Sequence, residues 1–99
     1  SDILRQLRNN VSRQIIKFIL DNDLCTFNEI VEHLGKAAST ISWHLKRLKH
    51  GSLISVKYGG EYQLYQIMDR ELVYDVISKY KKSLVDRVVN NYTEMVEEL

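Results

Sequence analysis

Ninety-nine residues, 44% of them apolar and carrying 14 Lys and Arg against 13 Asp and Glu, suffice for one domain with one core, since a chain of this length buries roughly 65% of its extended surface on folding. The single cysteine, Cys25, rules out an internal disulfide, and no apolar run approaches the ~20 residues of a membrane helix, so composition points to a reducing cytoplasm. The net charge of only +1 hides a local excess. From His33 to Gly60 there is no Asp or Glu, while Lys36, Lys46, Arg47, Lys49 and Lys57 all fall in that window, a positive surface whose natural partner is a phosphate backbone.

In chain order, Ile3, Leu4, Leu7 and Val11 keep helical spacing and the Asn9-Asn10 pair interrupts it, which predicts a short first helix. Ser12 is placed to cap a second helix from Arg13 to about Asp21, whose Ile15, Ile16, Ile19 and Leu20 form an apolar stripe that Asp21-Asn22-Asp23 ends. Thr26 and Glu29 make the T-x-x-E capping box of a third helix, with Cys25 just before the cap placed to pack on Ile30 as a hydrophobic staple. Phe27, Ile30, Val31 and Leu34 give its buried face, and Gly35 offers a left-handed exit.

Within residues 36 to 51, Ile41, Leu45 and Leu48 recur at i, i+4 and i+7, while Ser39, Thr40, Trp43, Lys46 and Arg47 fall on the opposite side. Two amphipathic helices joined by so short a glycine-containing turn read as a helix-turn-helix with 37–50 as its recognition helix, ended by Gly51 in a left-handed conformation. The period then changes to two: Ile54, Val56 and Tyr58 alternate, Gly59-Gly60 turns the chain, and Tyr62 and Leu64 followed by Tyr65 and Ile67 return. This predicts a two-stranded hairpin projecting as a wing over 53–67, with Lys57 near its tip. From the N-cap Asp69, the residues Val73, Ile77, Tyr80, Leu84, Val88, Tyr92, Met95 and Leu99 advance by threes and fours to the end of the chain. An unbroken helix there would be ~45 Å long, more than a domain with a gyration radius of ~13 Å can cover, so part of its stripe needs a partner. Two shorter helices broken near Ser83 are the alternative.

This order of elements is that of a winged helix-turn-helix, and the motifs from about Val11 to Ile67 resemble the ArsR-type transcriptional regulators, including their archaeal relatives. Ser12-Arg13-x-x-Ile16 resembles the family's Thr-Arg-x-x-Ile/Leu, Thr40-Ile41-Ser42-Trp43-His44-Leu45-Lys46-x-Leu48 resembles its T-V-S-x-H-L-x-x-L recognition signature, and Gly51-x-Leu53-Ile54 with Tyr65-x-Ile67 resembles the edges of its wing. The resemblance implies a homodimeric DNA-binding regulator with dimer contacts from the first and last helices. Two departures stand out. The Cys-x-Cys pair through which some members sense metals is reduced to Cys25 alone and no His follows His50, so no metal site is expected. Ala37 occupies the position where the family carries a capping Ser.

The expected fold is therefore mainly α with a small β-hairpin, a winged helix-turn-helix over 1–68 and an extended C-terminal helical segment over 69–99 for dimerisation. The expected function is sequence-specific binding of double-stranded DNA by Lys36, Ser39, Thr40, Ser42, Trp43, Lys46, Arg47 and Lys57, with no cofactor and no effector readable from the sequence. Each has a plainer reading: the α-helical face as a solvated polar surface, Trp43 as lying flat on its own domain, and Tyr58 and Tyr62 as stacking on each other across the strands. His44, one position before core Leu45, is expected to be a buried hydrogen-bonded residue, and Cys25, His33 and His44 lack ligand spacing. No nucleophile motif or phosphate-cradling glycine loop is present, so an enzyme is not expected. The rival is a winged helix used as a protein-interaction module of a larger complex.

Overall fold

The computed structural model of the protein describes residues 2–79 and 81. Helices α1 (Asp2–Arg8) and α2 (Asn10–Asp21) lead into a short strand β1 (Cys25–Thr26), followed by α3 (Phe27–Leu34), α4 (Ala38–His50) and the wing strands β2 (Ile54–Gly59) and β3 (Tyr62–Ile67). A last helix, α5, runs over residues 70–79. The Asp69 side chain caps it by accepting the Leu72 N–H at 3.1 Å. The remainder of the expected C-terminal stripe, from Tyr80 to Leu99, and the alternative break at Ser83 lie outside the described residues.

One core holds these elements together. Ile15, Ile16, Ile19 and Leu20 of α2, Ile30 of α3, and Ile41, Leu45 and Leu48 of α4 are all buried, as their helical spacing requires. Leu53, Ile54, Tyr65 and Ile67 from the wing, Leu7 from α1 and Val73 from α5 close the cluster. The base of the hairpin is thus packed into the core while its tip is exposed, and that packing is what stabilises so small a sheet.

Several local expectations are corrected. Asn9, not Ser12, caps α2: its side chain accepts the Ser12 N–H at 3.0 Å and the helix begins at Asn10. Ser12 is fully buried and its hydroxyl is turned inward to other partners. The sheet has three strands in the order β1-β3-β2, not two, because Cys25 pairs with Tyr65 and Thr26 with Leu64. Two residues are too few to show alternation, so the periodicity of the sequence carried no sign of this strand. Thr26 nevertheless performs the capping role read from it, accepting the Glu29 N–H at 3.2 Å while its own N–H donates to the Glu29 carboxylate at 3.1 Å.

At the end of α4 the left-handed residue is Ser52 (φ 60°), whereas Gly51 has φ −80°. The Leu53 N–H donates to the Leu48 carbonyl and the Ser52 N–H to the Lys49 carbonyl, each at 3.0 Å. This is the Schellman arrangement, which lays Leu53 over Leu48 in the core. In the wing, Gly59 pairs with Tyr62, so the two-residue turn is Gly60-Glu61 with Gly60 at φ 65°. The register puts Tyr58 opposite Gln63, and alternation then places Tyr58 and Tyr62 on opposite faces, which removes their mutual stacking.

Candidate nucleic-acid interface

Helix α4 stands with its apolar stripe in the core and its other side in solvent. The sequence seats it from both ends: Gly35, left-handed at φ 63°, ends α3 sharply, and the Ser52 turn fixes the exit. Ile41 and Leu48 are fully buried between these points. The outward residues are Ser39, Trp43, Lys46, Arg47, Lys49 and His50, all exposed, whereas Thr40 and Ser42 are half-buried on either flank. Lys36 is exposed in the turn just before the helix, and Lys57 is exposed on β2 opposite Leu64. Seven of the eight residues singled out from the sequence therefore lie on or beside one helix, and Lys57 reaches the same side of the question only through the wing.

Gln63, which the sequence did not single out, joins this set beside Lys49, which the sequence named only as part of the basic window. The two line, with Ser42, Lys46 and Val56, a groove between α4 and the wing. Their proximity depends on how the hairpin folds back on the helix, which no local pattern encodes. At the helix start, Ala37 provides no side-chain cap and the first intrahelical bond recorded is Ile41 N–H to the Ala37 carbonyl at 3.1 Å. The amides of the first turn are thus open to an acceptor from outside the chain, and with the helix dipole they favour an anion.

The outward face rests on a buried polar chain. Ser12 donates to the side-chain Oε1 of Gln6 at 3.2 Å, and His44 Nδ1 lies 3.1 Å from the same hydroxyl. With the Ser12 proton committed to Gln6, Nδ1 of His44 carries a hydrogen and donates. Burial, and secondarily the nearby Arg47 charge, hold the His44 imidazole below its ordinary pKa, so it is neutral at pH 7. Outside the core, Trp43 meets His44 edge-on with ring centroids 4.8 Å apart, and the Arg47 guanidinium sits 4.7 Å from the centre of the Trp43 ring. Trp43 remains 53% exposed and does not lie flat on its own domain.

His33 stacks on Phe18 at 4.5 Å, Cys25 is buried in the sheet and His44 is engaged with Ser12, so these three side chains occupy separate environments. Among the described residues no three His, Cys, Asp or Glu side chains gather in a metal-binding arrangement, and no helix is long and apolar enough to cross a membrane.

Comparison with known proteins places this geometry in context. Residues 9–56 match the family described as bacterial regulatory protein, arsR family. Over 66 residues the chain is 36% identical to an uncharacterized HTH-type transcriptional regulator of Methanocaldococcus jannaschii; the match spans 67% of this chain but 17% of that relative's length. The fold superposes on M. tuberculosis Rv0081 with a TM-score of 0.79 at 15% identity, covering 91% of this chain and 89% of that one. It superposes with a TM-score of 0.73 on a homodimeric winged helix-turn-helix DNA-binding domain from Mycobacterium bovis, a possible ArsR-family regulator, at 22% identity over 87% and 78% of the respective chains. At these identities the structural likeness establishes the winged-helix fold.

Proposed function

Since residues 9–56 of this chain are an ArsR-family helix-turn-helix domain of the kind found in transcriptional regulators, we propose that it acts as a homodimer on double-stranded DNA, one α4 helix entering the major groove of each half-site. The observation that carries this reading is the exposed basic face of α4. Lys46, Arg47 and Lys49, with Lys36 before the helix and Lys57 on the wing, lie in a stretch from 33 to 60 that contains no carboxylate. Ser39, Thr40, Ser42 and Trp43 occupy the N-terminal half of the helix, where a groove-bound helix meets base edges, while the lysines meet phosphates.

Dimerisation through α1 and the segment 69–99 accompanies this reading. Leu72 and Tyr74 of α5 are exposed at 45% and 48%, and the M. bovis domain of the same fold is itself homodimeric. A twofold dimer reads a twofold site. Selection of bound sequences from a random duplex pool should therefore return an inverted repeat, and light scattering should give twice the chain mass at tens of micromolar. An asymmetric or absent motif from a monomer would reject the dimeric reading. Failure to bind any duplex in a salt-sensitive way would favour the protein-interaction module instead.

A further inference from the structure

Arg47 differs from the other cations of the α4 face in having a fixed aromatic neighbour. Its guanidinium lies 4.7 Å from the centre of the Trp43 ring, one helical turn earlier, where i and i+4 side chains meet. The indole is itself braced: its edge abuts His44, which is tied through Ser12 to Gln6, so α1 and α2 support it from beneath. Among the described residues the Arg47 guanidinium makes no hydrogen bond or ion pair, and the groove beside it is lined by Gln6, Trp43, Lys46, His50 and Gly51. Lys46 and Lys49 have no such support and serve as flexible point charges.

We propose that Trp43 is a positioning residue that holds Arg47 to read a guanine in the major groove, so that each half-site contains one guanine whose selection depends on both side chains. The inference rests on the DNA-binding reading above. A guanidinium already ordered on a ring loses less freedom when it donates two parallel hydrogen bonds, and guanine O6 and N7 are the groove acceptors that match its fork. A phosphate needs no such ordering, and four exposed lysines are already available for that task.

The test repeats site selection with the wild type, R47K, R47A, W43A and W43F, followed by titration of the selected duplex with the guanine replaced by another base or by 7-deazaguanine, which lacks N7. For the wild type, each replacement should weaken binding roughly 5- to 150-fold, the range of one bidentate base contact. R47A and R47K should bind guanine and its replacements about equally. W43A should lose roughly 2- to 5-fold of the guanine discrimination, the scale of an exposed cation–π contact. W43F keeps a ring at this position and should retain most of the preference, which guards against loss of folding in W43A. Trp43 is the one tryptophan of the chain, so its emission should also shift in R47A before any DNA is added. Undiminished discrimination by W43A, or an R47A variant that keeps the base preference and only flattens the salt dependence, would overturn the inference while leaving DNA binding intact. A wild type with no salt-sensitive duplex binding would remove the underlying reading and this inference with it.

Discussion

The buried hydroxyl of Ser12 links three helices, and its removal is the sharpest residue-level test of the packing beneath the α4 face. Ser12→Ala strips the buried partner from His44 Nδ1 as well as the Gln6 bond, so urea denaturation should show a loss of about 1–3 kcal/mol. His44 also makes stability depend on pH. Its pKa is lowered from 6.5 chiefly by burial and secondarily by Arg47, so the unfolded chain binds more protons than the folded one in the interval between the two values. The contribution is fully present above pH 6.5 and is lost as pH falls through the folded-state value. His44→Gln should flatten that part of the pH–stability curve; an unchanged slope would assign it to another group. Cys25 offers a third reading at this scale. Burial pushes its thiol up to about 11, with Glu29 and Asp23 adding to the shift, so the thiolate is scarce at neutral pH. Iodoacetamide at pH 7.5 should modify it only after denaturant unfolds the sheet, and rapid labelling of the native protein would contradict this burial.

Among the elements, the exit from α4 separates what the sequence shows from what it withholds. Gly51 looks like the left-handed residue, yet the conformation falls on Ser52 because Leu53 must reach back over Leu48. A non-glycine residue there costs about 1 kcal/mol relative to glycine, so Ser52→Gly should raise stability by up to about that amount. Gly51→Ala should be neutral or mildly stabilising, since an added Cβ would meet only ordinary contacts, the nearest at 3.5 Å, and φ is negative. The reverse ranking in thermal melts would restore Gly51 to the role its sequence position suggests. The capping box at Thr26, the Gly35 exit and the Asp69 cap were legible because each is fixed by residues at most four apart. Strand β1 and the Asn9 cap were not, since pairing with Tyr65 and the inward turn of Ser12 toward His44 are set by residues 40 and 32 positions away. Arg70 shows the same dependence. Its guanidinium donates to the Leu20 carbonyl at 2.8 Å and lies 3.8 Å from Asp23, joining α5 to the end of α2. Arg70→Ala should cost about 1–2 kcal/mol by denaturant titration, as expected for a charge-assisted bond at a helix C-terminus.

For the whole molecule, the division of charge along the chain was readable at once, and so was the helical face that displays it. The placing of Gln63 beside Lys49 emerged only when the wing came to lie beside α4, because the two are brought together by the tertiary fold and by no local pattern. Engagement of duplex DNA by this basic face is tested most directly by a polarisation titration of a selected duplex over increasing salt. Neutralisation of three or four phosphates per protomer should give a slope of log affinity against log salt of about −5 to −7. The K46A/R47A variant, unchanged in circular dichroism and melting temperature, should bind at least about tenfold more weakly, because each lost contact of this type carries of order 1 kcal/mol or more. A folded double variant that binds as tightly as the wild type, or a wild-type affinity indifferent to salt, would contradict the account.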